Sequence, residues 1–166
     1  MPKHSRTLRP VVHMTVEGEA ERLYAALLRA KLTANRAGPQ VKILNAHGKG
    51  ALNVIQTSLR CAPKRDYAAR AVIFDTDTDW TDRAKALAKQ GKLVVVEMDP
   101  CLEAALLCAK GVKPPATTRE CKALFLKLFG GEAHDPRVAE KHFGADILHD
   151  SAMQCPIGRR LLSLFE

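Results

Sequence analysis

The sequence predicts an α/β fold: a parallel sheet covered by helices on both faces, followed by a helical C-terminal extension. Three observations carry this prediction. Short β-branched runs alternate along the chain with stretches of helical period. The runs are apolar throughout, as strands buried on both faces are, rather than alternating apolar with polar. Beyond Pro100 the strand-like runs stop and helical patterns continue.

Taken in order, Val11–Val16 is short, β-branched and apolar, which suits a buried first strand. After Gly18, the spacing of Leu23, Leu27 and Ala30 predicts an amphipathic helix from Glu19 to about Ala34. Gly38 and Pro39 break it, and Val41–Leu44 reads as the second strand. A helix over Ala51–Leu59 follows the glycine-flanked turn at His47–Gly50, and Pro63–Asp66 is a charged loop. Ala71–Phe74 is the third strand and ends directly on acidic residues. Asp82–Gln90 is a helix closed by Gly91, and Leu93–Val96 is the fourth strand. Two more helices, Cys101–Ala109 and Arg119–Phe129, flank Pro114-Pro115. The expected organisation is a single compact unit, with an α/β core at 8–112 and a helical extension at 113–166 packed on it.

Composition narrows the function classes. The 166 residues carry 26 Lys and Arg against 18 Asp and Glu, a formal charge of +8. With a pI near 9.4, this balance favours polyanionic partners, above all a nucleic-acid backbone. Aromatics are only 5% of residues, too few for a base-stacking platform. The five cysteines form no C-x-x-C pair, and an odd count without an apolar leader does not suggest a disulfide framework. No apolar run is long enough to span a membrane, so cytoplasmic residence is expected.

The charges are also segregated. Basic residues crowd Arg60, Lys64, Arg65 and Arg70, while carboxylates concentrate around Glu17–Glu21 and Asp75–Asp82. Ligands of parallel α/β sheets bind outside the carboxyl ends of the strands. Glu17, Glu19 and Glu21 follow the first strand, and Asp75, Asp77 and Asp79 follow the third. Carboxylates gathered at one sheet edge repel unless a cation is shared, and an oxygen-only set suits Mg²⁺ or Mn²⁺ rather than zinc. The plainer reading of Glu19, Glu21 and Asp79 is helix capping and dipole stabilisation. His47 and Lys49 belong to the same edge, where a lysine can neutralise phosphate charge and a histidine can move a proton. Glu103, in an otherwise apolar helix, needs water, a partner or a metal. His134, His142, His149 and Cys155 match no compact zinc spacing. Cys101, at a helix start, reads as a small buried side chain.

Three pieces, Val16-Glu17-Gly18-Glu19-x-Glu21, Val72-Ile73-Phe74-Asp75-x-Asp77 and Asp99-Pro100-Cys101-Leu102-Glu103, together resemble the signature of TOPRIM proteins, in particular the RloB-like branch related to OLD-like nucleases. Their order and spacing cover roughly residues 10–110. In the third piece Asp99 stands where the branch usually has Asn, and Ala104-Ala105-Leu106 replaces an aromatic-rich run. The resemblance implies a TOPRIM-like Rossmannoid sheet and a metal core of Glu17, Asp75 and Asp77. It also implies Glu21 as a second glutamate; the acidic edge itself offers Asp79 or Glu103 to complete the shell. The implied activity is Mg²⁺-dependent phosphodiester cleavage of DNA or RNA, in a setting of phage defence or mobile elements. Glu17, Asp75, Asp77 and Lys49 would act in catalysis, and the Arg60–Arg70 stretch would contact phosphates. Two other readings stay open. Ile73-Phe74-Asp75-Thr76-Asp77-Thr78 also resembles the first motif of HAD-type phosphatases, with Asp75 as nucleophile. The third possibility is a non-catalytic subunit that binds nucleic acid or a partner protein.

Overall fold

A computed structural model describes residues 9–32, 38–61, 67–144, 159–160 and 163–164. Four strands and six helices are formed by these residues: β1 (Val11–Val16), α1 (Glu19–Leu32), β2 (Gln40–Asn45), α2 (Gly50–Cys61), β3 (Ala69–Asp75), α3 (Asp82–Gln90), β4 (Val94–Met98), α4 (Leu102–Ala109), α5 (Thr118–Phe129) and α6 (Pro136–His142). The strands make one sheet in the order β2-β1-β3-β4, parallel at every pairing. The α/β class and the parallel sheet flanked by helices are therefore as the apolar runs predicted.

Both faces of the sheet are buried, which explains why its strands lack polar alternation. Val12, Met14 and Val16 of β1 and Ala71 and Ile73 of β3 pack into one cluster with residues of α1, α4, α5 and α6. Val72 and Phe74, pointing the other way from β3, pack with Ala51, Val54 and Ile55 of α2 and Ala84 and Ala88 of α3. Cys121 and Phe125 of α5, Val138 of α6, and Phe143 belong to the first cluster, so α5 and α6 share the core of the sheet. Phe125 stacks on Phe143 with ring centroids 5.6 Å apart, and truncating such a buried ring costs about 3–5 kcal/mol.

The chain runs from β1 outward to β2 over one face, then returns across to β3 and on to β4 over the other. This reversal lets parallel crossovers keep one hand, and it leaves β1 and β3 adjacent with connections departing in opposite directions. Their carboxyl ends flank the switch point of the sheet, where α/β folds open a crevice.

Helix ends follow local chemistry. Thr81 caps α3, Thr117 caps α5 and Asp135 caps α6, each accepting a backbone N–H. Gly130 ends α5 in the left-handed region. Gly91 closes α3 differently from the expected glycine cap: its φ is −74°, and Lys92 carries the positive φ instead. Gly91 packs closely on α2: a Cβ there would lie 2.5 Å from Leu59 Cδ2, so that side chain would have to shift.

Candidate functional site

The switch point is built around Glu17. Its backbone continues β1, donating its N–H to Ile73 O at 2.9 Å, and its side chain reaches across to β3. Glu17 Oε2 accepts the N–H of Asp75 at 3.0 Å, and Oε1 accepts the N–H of Gly50, the first residue of α2, at 3.2 Å. One carboxylate thus ties β1, β3 and α2 together. The turn before α2 closes on the same residue, with Gly48 donating to Glu17 O at 2.7 Å.

Asp75 ends β3 and faces α4, where its Oδ1 accepts the Leu102 N–H at 3.0 Å. Burial pushes its carboxyl up to about 8, reinforced by the charges of Glu21, Glu17, Glu103 and Asp77. Burial likewise raises Glu21, with Glu17 and Glu103 adding to the effect. Glu21 Oε2 accepts the Gly18 N–H at 2.9 Å, the reach-back of a third-position acid to the residue before the helix. Gly18 permits this, since a Cβ there would sit 3.1 Å from that oxygen. Asp77 is exposed and accepts from Thr118 Oγ1 of α5 at 2.7 Å. The motif around Asp99 docks on this corner: Asp99 Oδ1 accepts from Thr76 Oγ1 at 2.9 Å, and Leu102 and Glu103 open α4.

Of the residues singled out in the sequence, Glu17, Glu21, Asp75, Asp77 and Glu103 converge on this corner. Asp79 turns away. Its Oδ2 accepts the Leu52 N–H at 3.3 Å, so it serves the N-terminus of α2. Glu19 is exposed and forks onto Arg22, a surface pair within α1. His47 and Lys49 are exposed on the turn before α2, both with positive φ. Arg60 and Arg70 are not brought to the acidic corner. Arg60 lies in the last turn of α2, ten residues and about 15 Å of helix beyond Gly50. Arg70 lies near the opposite end of β3 from Asp75, and its Nη2 donates to Gly91 O. Lys64, Arg65, His149 and Cys155 lie outside the described residues. Cys101 is fully buried and its thiol is pushed up to about 12 by burial, as a packing residue requires.

Lys122 is a component that sequence reasoning missed. It stands one turn beyond Thr118 on α5, and Glu103, Asp75 and Asp77 all act on its ammonium in favour of the charged form, against the desolvation that is its largest influence. The signal was weak, one lysine on a helix far along the chain, and only the packing of α5 against α4 gives it meaning.

The donor chemistry fits a hard divalent cation: the corner offers carboxylate oxygens, and their mutual repulsion is what a cation would relieve. Among the described residues, no group of three His, Cys, Asp or Glu side chains is set to hold a metal ion as the side chains stand. Asp75 Oδ1 accepts the Leu102 N–H and Asp77 Oδ2 the Thr118 hydroxyl, and a carboxylate oxygen that accepts one hydrogen bond retains a second lone pair. No described helix is long and apolar enough to cross a membrane. The chain matches no family model, no curated protein and no solved structure.

Proposed function

We propose that the corner at the β1–β3 switch point binds Mg²⁺ or Mn²⁺ and serves phosphodiester cleavage in nucleic acid, in the manner that the TOPRIM resemblance implies. The observation that carries this reading is the bond from the Asp75 N–H to Glu17, which brings the glutamate of the first strand against the Asp75-x-Asp77 pair. A further support is the formal charge of +8, which favours a polyanionic substrate in spite of the local acids.

A divalent ion at such a corner supplies positive charge to a phosphate and lowers the cost of ionising a water. The chain's own residues do the rest. Glu17 fixes the spacing of β1 and β3 through its two backbone contacts. Asp75, held by the Leu102 N–H, keeps its other oxygen for the cation. Asp77 is steadied by Thr118, and Glu21 is steadied by Gly18. Lys122 gives the corner a fixed positive charge on the α5 side, where a phosphate oxygen would be drawn.

The test is incubation of the pure protein with DNA and RNA in Mg²⁺, Mn²⁺ or chelator, beside a folded Asp75→Ala variant. Cleavage that requires metal and falls to background in the variant is expected. Undiminished cleavage by folded Asp75→Ala defeats the reading.

A second reading, a non-catalytic binding subunit, is favoured by one specific observation. Glu17, Glu21, Asp75 and Asp79 each accept a backbone N–H, work that needs no metal. Thermal melting with Mg²⁺ separates the two, since a binding corner gains stability from the ion and a purely structural one does not.

A further inference from the structure

A cleft of about 370 Å³ lies between α4, α5 and the segment before α6, lined by Glu103, Lys122, Phe125, Leu126, Glu132 and His134 among others. Its two ends differ in chemistry. Glu103 follows Leu102, whose N–H holds Asp75, and Lys122 follows Thr118, whose hydroxyl holds Asp77, by one helical turn. The near end therefore lies beside the acidic corner, whose Asp75 and Asp77 act on the Lys122 ammonium. At the far end Glu132 and His134 sit 3.2 Å apart, offering a carboxylate and an imidazole to a ligand edge.

Ala123, Phe125, Leu126 and Ala133 supply the apolar part of the lining. Thr118, Lys122 and Leu126 recur at four-residue intervals, so they form one stripe of α5 leading away from Asp77. Leu126 is 51% exposed, one of two large apolar side chains in that state among the described residues, and it lines this cleft with Phe125. An exposed leucine is ordinary when alone. Here it is the wall of a concavity whose volume falls in the range of small-ligand sites.

We propose that this cleft receives one unpaired nucleotide of the substrate strand. The phosphate would lie at the corner beside Lys122, and the base would lie against Leu126 with its edge towards Glu132 and His134. The inference rests on the nucleic-acid reading above and deepens it by assigning where the strand is held. A duplex does not fit a cleft of this size, so the substrate is single-stranded or locally opened at the point of contact.

The experiment uses the full chain with 5 mM Mg²⁺, adenosine 5′-monophosphate as probe and ribose 5-phosphate as the baseless control, with affinity read by calorimetry. Adenosine monophosphate is expected to bind more tightly than ribose 5-phosphate, and Leu126→Glu to weaken it about tenfold. Leu126 is half exposed, so the variant should keep the wild-type circular dichroism and melting temperature. Leu126→Ala is the second variant, with a smaller loss expected. Absence of nucleotide binding by the wild type, or equal binding by Leu126→Glu, overturns the assignment. The companion measurement is KM for a single-stranded oligonucleotide, expected to rise in Leu126→Glu with little change in kcat. Asp75-dependent cleavage with an unchanged KM in Leu126→Glu removes the cleft and leaves the metal reading standing. Leu126-dependent nucleotide binding without any metal-dependent cleavage does the reverse.

Discussion

Glu17 and Asp75 are 58 residues apart in the chain, yet the backbone N–H of Asp75 donates to the Glu17 carboxylate at 3.0 Å. The bond joins the carboxyl ends of two neighbouring parallel strands, and it sets an anion beside a carboxyl group that burial already discourages from ionising.

That discouragement makes stability depend on pH. Asp75 is pushed up to about 8 in the folded protein from an ordinary 3.8, and Glu21 moves in the same direction. Below about pH 4 the group is protonated in both states, and its contribution to stability is intact. As pH rises towards 8 the unfolded chain releases the proton that the folded chain retains, so folding loses ground throughout that window. Above it the slope vanishes. In chelator, the melting temperature should fall by at least about 5 °C between pH 5 and pH 8.5. Asp75→Asn should remove most of the fall. A flat profile in the wild type contradicts the buried-carboxyl account.

Added Mg²⁺ should reverse the loss. At a hundred times its dissociation constant an ion stabilises by about 2.7 kcal/mol, or about 5–10 °C for a domain of this size. The gain should be larger at pH 8 than at pH 5, where protons compete for Asp75. Differential scanning calorimetry at both pH values checks this, and Asp75→Asn should show little response to the ion.

Glu17→Ala leaves the N–H groups of Gly50 and Asp75 without their acceptor. Losing partners of partly buried donors costs about 1–3 kcal/mol each, and the lower end applies where water can enter. Urea denaturation should show a total loss of about 2 kcal/mol. Glu17→Gln keeps one acceptor oxygen and should lose less.

Gly50→Ala and Gly48→Ala form a matched pair. Both positions have positive φ, +75° and +81°, so both substitutions incur left-handed strain of about 1–2 kcal/mol. Only at Gly50 does the new Cβ meet a side chain, Asp79, at 2.3 Å from Oδ1. Gly50→Ala should therefore be the more destabilising, and adding Asp79→Ala should recover part of the difference. Equal losses for the pair would show that Asp79 is free to move aside.

The basic residues should separate by position. Lys122→Ala should lower nucleic-acid cleavage about tenfold, the scale of one charge contact, whereas Arg60→Ala should leave it within about twofold. Arg70→Ala should act on melting temperature instead, through the lost contact to Gly91 O. A cleavage defect in Arg60→Ala equal to that of Lys122→Ala would place the strand across α2 rather than α5.

Much of the fold was legible because its signals are local. Val11–Val16 and Asp82–Gln90 have the same ends in the structure as in the residue pattern. Unbroken apolar runs announce strands covered on both sides, and glycine or proline marks where they stop. The acids after β1 and β3 could be assigned to one edge of the sheet by the same reasoning, since side chains that follow parallel strands emerge at one end.

What each acid does there was not local. Glu21 and Asp79 have the same charge and similar distance from a strand end, yet one joins the corner and the other serves α2. The difference lies in which helix N-terminus passes nearby. Arg70 likewise belongs to a basic stretch of sequence, but five residues of strand carry it away from Asp75. By itself the sequence determined the elements, the sheet type and the edge on which charge collects, because these depend on neighbours a few residues away. Tertiary structure alone decided that β1 lies beside β3, that α5 brings Lys122 and Thr118 to the aspartates, and that a cleft follows from them. Those contacts join segments dozens of residues apart, and the burial of two faces, rather than any local preference, fixes them.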